Sequence, residues 1–378
     1  MITRNFANNF GVQDWTEELA MIPNVRTPLS DLGIFRTESI ATDTVSFEQT
    51  FGTLGLIGDV YRGGSVLANQ DENRAIHTYR VPYHKVIDYL TQADVQGIRA
   101  YGTADTAETK AAVMERKMLR MKRSAQMTEE YAKFYAITQG KIWSPNNTVA
   151  HNSFYTDFGV TRKEVAFDLT NAATDVIAKI EEVIAHIQDN SLSGDSYTGV
   201  VGLCSPEFFS ALIAQAGVKE AYKFYTSTQE PQRNRLGGNT TLYREFVYAG
   251  CLFREIRDSV NGQRFLPVGE CYFVPMGTQD SFISYVAPSA KLDMANTLGE
   301  NQYLWVYGDP KGEKEEMELE FSHVHLLRRP ATVVRAVDHA RDINIIRHII
   351  VVVVKVIEVR SAVAVAIGRR GFPLSGVD

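Results

Sequence analysis

His323 and His325 stand two residues apart in a stretch of alternating residues, so in an extended strand both imidazoles share one face, as two metal ligands could. No third ligand stands near them in the sequence. They also continue the face of Met317, Leu319 and Phe321, so packed or interfacial imidazoles are the expectation. Five carboxylates crowd the same stretch: Glu313, Glu315, Glu316, Glu318 and Glu320. General acid–base work would need a pocket that moves their pKa values. Alternate members read more simply as the water-facing side of a strand, opposite Met317, Leu319 and Phe321. Cys204 precedes Ser205-Pro206, near a helix start where a thiolate would be favoured. No histidine is placed by spacing as its partner, and a buried thiol is expected. Gly63-Gly64 and Gly237-Gly238 lack the spacing of a phosphate-binding or dinucleotide motif and read as flexible points. No catalytic, cofactor-binding or metal-binding residue is assigned, and no cofactor.

The elements that carry these residues belong to a chain of 378 residues, long enough for two or three compact lobes. It is 44% hydrophobic and 22% charged, as globular proteins are. A net charge of -6 argues against a dedicated nucleic-acid binder, which would carry a basic excess, though it allows weak contact with DNA. Three scattered cysteines, Cys204, Cys251 and Cys271, fit reduced thiols in a cytosol. The start, Met1 to Phe6, lacks the apolar core of a signal peptide, and no run approaches the roughly 18 apolar residues of a bilayer span. Synthesis in a cytoplasm, without a membrane partner, is expected.

The pattern along the chain predicts an α+β protein. Residues 1–41, broken by Pro23, Pro28 and Gly33 and with a hint of helix only at Trp15–Ile22, read as an extended arm. Strands over Thr44–Phe51 and Ala75–Tyr83, joined by a long glycine-bearing loop, predict a protruding two-stranded ribbon. Residues 105–139 predict one long helix, roughly 50 Å at about 1.5 Å per residue, with Gly140 as its cap. Its apolar stripe is Ala111, Met114, Met118, Met121, Ala125, Ala132 and Tyr135. Its Lys and Arg residues are mixed with Glu108, Glu115, Glu129 and Glu130, a solvated face with at most a modest contribution to DNA contact. A second helix has Asn171 as its expected N-cap and Val176, Ile180, Val183, Ile184 and Ile187 as its buried face. A strand over Tyr197–Leu203, a helix opened by Pro206, a loop at Arg233–Thr241, and strands at Phe246–Phe253, Cys271–Pro275 and Phe282–Ala287 follow. The Ile- and Val-rich run at Ile343–Ile367 is interrupted by Lys355, Glu358 and Arg360, which makes it a poor membrane span.

Three blocks stand out together. They are Val81-Pro82-Tyr83-His84 with Ala93-Asp94-Val95-Gln96-Gly97-Ile98-Arg99-Ala100-Tyr101-Gly102; Val165-Ala166-Phe167-Asp168-Leu169 with Cys204-Ser205-Pro206-Glu207-Phe208-Phe209; and Phe246-Val247-Tyr248-Ala249-Gly250 through Pro275-Met276-Gly277-Thr278 and Tyr285-Val286-Ala287-Pro288 to Asn296-Thr297-Leu298-Gly299. Their order and spacing over about residues 1–337 resemble the lambda-like major capsid proteins of tailed bacteriophages, the major capsid protein E family with the Hong Kong ninety-seven-type fold.

The resemblance implies an N-terminal arm at 1–41, an extended loop at 42–90, and a peripheral domain at 91–167 carrying the spine helix 105–139. It further implies an axial domain at 168–300 and a strand segment at 301–337 that returns to the peripheral domain. The Val/Ile-rich tail, 338–378, lies outside the match. The implied function is a major head protein whose copies form pentamers and hexamers of an icosahedral shell around double-stranded DNA. Implied partners are other copies of the chain, a portal, a separate scaffolding protein (the chain starts directly with the arm) and a decoration protein. The implied location is the virion, after synthesis in the host cytoplasm. An encapsulin-like nanocompartment shell is the alternative on the same fold, to be told apart by cargo. A soluble hydrolase using a Glu or His is the alternative from another class.

Overall fold

The computed structural model describes residues 26–51, 73–96, 109–149, 153–191, 196–221 and 243–338. Its first elements are a single helical turn, α1 (Pro28–Asp31), and strand β1 (Arg36–Ser39). Strands β2 (Thr44–Phe51), β3 (Asn73–Arg80) and β4 (Tyr83–Thr91) lead to the long helix α2 (Lys110–Gln139) and the short α3 (Phe154–Asp157). Next come β5 (Lys163–Ala166), α4 (Val176–Asn190), β6 (Gly199–Cys204) and α5 (Pro206–Ala214). Strands β7 (Glu245–Tyr248), β8 (Cys251–Glu255), β9 (Ser259–Val260), β10 (Gln263–Arg264) and β11 (Glu270–Met276) follow. The last are β12 (Phe282–Val286), β13 (Tyr303–Gly308), β14 (Lys314–Leu327) and β15 (Val334–Val337). The class is α+β, as the sequence pattern predicts.

The described residues form two compact units, one from 26–160 with 278–330, the other from 161–277 with 331–338. In the first unit β14 is the common partner. It pairs antiparallel with β4 from Lys314↔Thr91 to Ser322↔Tyr83, with β13 from Gly308↔Glu315 to Tyr303↔Glu320, and with β12 from Val286↔His323 to Phe282↔Leu327. Helix α2 lies on this sheet, burying Val113, Met121 and Ala125 against Leu90, Met317, Leu319 and Phe321. Burying a Leu or Phe side chain contributes about 2 kcal/mol, so this seam holds the helix down. The helix starts where the Thr109 side chain accepts from the amide of Ala112 and stops at Gly140, whose φ of 63° only glycine adopts easily.

The second unit is a six-stranded sheet in the order β5-β15-β11-β6-β8-β7, with α4 and α5 packed on it. Its core includes Phe167, Ile180, Phe208, Phe209, Phe253 and Phe273, all fully buried. Helix α5 opens at Pro206 as expected, capped by Ser205. The run expected as one strand over Phe246–Phe253 is a tight hairpin, turned at Ala249 and Gly250, both at positive φ.

Several expectations need correction. The cap of α4 is Asp175, whose carboxylate accepts from Ala178; Asn171 instead accepts from Ala173 in the turn before. On α2, Ala111 is exposed and Ala132 and Tyr135 are half-buried, while Glu130, Lys133, Phe134 and Ile137 are buried. The stripe rotates because α1 docks beside Glu130 and Lys133, which residue spacing cannot foresee. The arm is not free over all of 1–41: Leu29 and Ile34 are buried, and β1 pairs parallel with β12. The units also divide elsewhere than at 168–300 and 301–337. The chain rejoins the first unit at Thr278, since β12 pairs with β14, while β15 lies in the second unit beside β5 and β11. The helix hint at Trp15–Ile22, the ribbon tip with Gly63-Gly64, residues 97–108, the Arg233–Thr241 loop and the Ile343–Ile367 run lie outside the described residues.

Candidate functional site

The carboxylates of β14 are not all at a wet surface. Glu318 and Glu320 are 2% and 1% exposed, so the expectation of a solvated face fails there. Cross-strand neighbours explain it, because Lys85 and Ile87 of β4 and Tyr303 and Trp305 of β13 flank the same face. Segment 288–291 adds Lys291, whose Nζ donates to Glu318 Oε1 at 2.9 Å and lies 3.4 Å from Glu320 Oε1. Lys85 pairs with Glu318, and the Ser289 hydroxyl donates to Glu320. Burial pushes the pKa of Glu318 up, but hydrogen bonds with Glu320, Lys291 and Lys85 outweigh it and hold it well below the usual carboxylate range. Charged near neutrality, Glu318 forms with Lys85 and Lys291 a strut between strands. Lys85, Ser289 and Lys291 were missed in the sequence because they lie about 30 or more than 200 residues from the glutamates they meet.

His323 and His325 do continue the face of Met317, Leu319 and Phe321, and both are buried. His84 joins them through Phe321, on which it stacks with ring centroids 4.9 Å apart. His325 Nδ1 meets Ser284 Oγ at 2.7 Å. His323 Nδ1 lies 3.8 Å from Glu129 Oε2, too far for a hydrogen bond. Burial lowers the pKa of all three, that of His84 to about 4. Among the described residues no group of three or more His, Cys, Asp or Glu is arranged to hold a metal ion.

Cys204, Cys251 and Cys271 are buried free thiols, with Cys204 Sγ 3.2 Å from Cys271 Sγ. Burial raises Cys251 to about 12 and Cys271 well above its usual value, so neither is a nucleophile at neutral pH. Several cations of α2 are engaged on the protein itself. Lys117 bonds Asp94 at 3.1 Å, Arg120 bonds Asp88 at 2.8 Å, and Lys110 pairs with Glu315.

Two further arrangements concern attachment. The helical turn α1 is anchored by Glu130, 1% exposed, which accepts from the amides of Leu29 at 2.6 Å and Ser30 at 3.3 Å and from the Ser30 hydroxyl at 2.7 Å. Lys133 donates to the same hydroxyl at 2.9 Å. The strands β2 and β3 form the expected antiparallel ribbon, from Thr44↔Arg80 to Phe51↔Asn73. At its root Phe47, His77 and Tyr79 pack on Phe154 and Phe158, with the Arg328 guanidinium over Phe47. The Tyr79 hydroxyl donates to Asp157. The ribbon is thus fixed at its base, while its other face, with Ile76, is open.

Among the described residues the glutamates, histidines and thiols are taken up in struts, docked segments and buried packing. The profile of the family described as phage major capsid protein E matches residues 11–337. The chain belongs to the phage major capsid protein E family. The major capsid protein of Pseudomonas phage KPP10 is 38% identical over 340 residues, spanning 87% of this chain and 97% of the relative. That of Salmonella phage Felix O1 is 27% identical over 354 residues, 86% of this chain and 95% of the relative. The solved mature capsid of bacteriophage PhiM1 has a subunit with a TM-score of 0.52 at 12% identity, over 85% of this chain and 89% of that one. At that identity the likeness speaks to the fold alone, and the fold is that of tailed-phage capsid proteins. The protein is a structural component of the virion shell, and the nanocompartment alternative is not favoured. The family match ends at Val337, where the resemblance of the sequence is also expected to end, and leaves the tail outside it. Among the described residues no helix is long and apolar enough to cross a membrane.

Proposed function

We propose that copies of this chain associate as pentamers and hexamers into an icosahedral shell around double-stranded DNA. In this reading residues 52–72, at the far end of the ribbon, lie on an adjacent subunit, and the part of the arm before Arg26 reaches a neighbour. The second unit supplies the axial contacts. A separate scaffolding protein, a portal and a decoration protein are the proposed partners during and after assembly. The observation that carries the reading is the ribbon itself. An isolated two-stranded ribbon is marginal in water. Among the described residues this one is clamped near its root, where Phe47, His77 and Tyr79 meet Phe154 and Phe158, and its strands pair as far as Phe51 and Asn73 with Ile76 exposed. A strand pair held at the base with an apolar side chain such as Ile76 exposed is suited to burying surface on another copy.

The test replaces residues 52–72 by an Asn-Gly turn, which closes the ribbon between the paired Phe51 and Asn73. The expected product is a soluble folded subunit with native circular dichroism that forms no shells by electron microscopy. Normal shells from this variant would refute the role of the ribbon.

A further inference from the structure

We propose that His84, His323 and His325 form an acid-released clasp between the long helix α2 and strand β14, closed while the rings are neutral and opened when they take up protons. The three rings line a cavity under α2 together with Thr128, Glu129 and Trp143. Its volume is about 10 Å³, room for about one water molecule. Solvent therefore has no space to disperse a charge placed there.

Every element packed around the cavity adds to the balance. Helix α2 contributes Glu129 and the buried pair Glu130 and Lys133; β4 contributes His84; β14 contributes His323 and His325. Strand β12 brings only the Ser284 hydroxyl, and the segment before β13 brings the backbone of Asn301 towards His323. Phe35 meets the His325 ring edge-on and closes the far side. Glu130 already accepts three hydrogen bonds from α1, and Glu129 already pairs with Lys133 at 2.7 Å. Of the carboxylates here only Glu129 Oε2, 3.8 Å from His323 Nδ1, faces a ring, and at that distance it makes no hydrogen bond; the charges bearing on His84 and His325 are those of Lys133 and the other histidines.

Nε2 of His325 has no hydrogen-bond partner, so no acceptor waits there for a second proton, while at His323 the Asn301 backbone is the smallest of the influences and favours the charged form. Burial is the largest influence on all three rings and lowers each pKa; Lys133 lowers His323 and His325 further, and Glu129 opposes it only at His323. A histidine with a depressed folded pKa contributes stability that is full above its unfolded value of about 6.5 and lost as the pH falls through the folded value. Because Lys133 also holds Ser30, opening the clasp loosens the docking of α1 as well.

The experiment is hydrogen–deuterium exchange of the full-length unassembled subunit at pH 7 and about 4.5, corrected for intrinsic exchange, with peptides from α4 as the internal reference. Segments 125–142 and 318–327 are expected to exchange at least roughly tenfold faster at the lower pH, while α4 changes little. In His323→Leu and His325→Leu that acceleration should shrink several-fold. Equal acceleration in the wild type and both variants would overturn the clasp, because the acid-sensitive groups would then lie elsewhere. Should the variants not fold, histidine ring carbon shifts of the wild type replace them. Midpoints below about 6 for the three rings support the clasp, and midpoints near about 6.5 overturn it.

Discussion

Glu130 shows how much a single side chain can carry here. Its two oxygens hold the amides of Leu29 and Ser30 and the Ser30 hydroxyl, and Lys133 lies beside it at 3.9 Å. Burial raises its pKa against the pull of Lys133 and these donors. Removing the carboxylate leaves the buried Leu29 amide and the part-buried Ser30 amide without their acceptor and Lys133 with Glu129 as its remaining carboxylate, a change expected to cost about 3 kcal/mol. Urea unfolding of Glu130→Ala should show that loss, and limited proteolysis should cut near residue 30 first. A variant as stable as the wild type would mean that α1 docks through Leu29 and Ile34 alone. Gly299 illustrates a different constraint. A Cβ there would come within 2.3 Å of the Val286 carbonyl oxygen, and its amide donates to Ile40, so the backbone itself must fit that gap.

Among the elements, the ribbon and the long helix are held in contrasting ways. Helix α2 has a seam of apolar contacts, ion pairs to β4 and caps at both ends, so no single change should release it. The ribbon root depends on a small aromatic cluster in which Phe158 touches both Phe47 and His77. Phe158→Ala should therefore cost roughly 3 kcal/mol locally and raise amide exchange in β2 and β3, while α2 and the second unit keep their protection. Unchanged exchange in the ribbon would show that Tyr79, Phe154 and Arg328 hold it without Phe158. A ribbon that loosens in this way should also impair shell assembly before it impairs folding.

For the whole molecule, acid is the informative variable. The three histidines lose their contribution as the pH falls from about 6.5 towards 4. Asp94, Glu182, Glu207 and Glu318 have lowered pKa values: against the cost of burial, Asp94 is held by the Thr91 amide and Lys117, Glu182 by Lys163, Glu207 by Arg264, and Glu318 by its coupling to Glu320 and by Lys291 and Lys85. Their contributions are present above their unfolded values near 4 and vanish below them. Glu130, with its pKa raised, works in the opposite direction and softens the decline. Urea midpoints of the subunit should therefore be flat from about pH 8 to 7, fall between about 6.5 and 4.5, and fall again below about 4. A flat profile down to pH 5 would show that the histidines are not buried neutral in solution.

Local pattern determined much of this protein. The α+β class, the ribbon of β2 and β3, the long helix ending at Gly140, the Ser205-Pro206 helix start and the parity of His323 with Met317 follow from periodicity and capping, which depend on neighbours in sequence. The blocks ending in Asn296–Gly299 carried the family as well, and the structure gives the reason for one of them: Asn296 sits at positive φ and Gly299 in a gap with no space for a side chain. Only tertiary structure decided that Glu318 and Glu320 are buried, that Glu130 holds α1, and that β15 leaves the sheet of β14 for that of β11. Each of these depends on a partner far away in sequence, such as Lys291, Leu29 or Tyr272. A strand's alternation shows that it has two faces, but what covers the second face is set by segments that arrive from elsewhere in the chain.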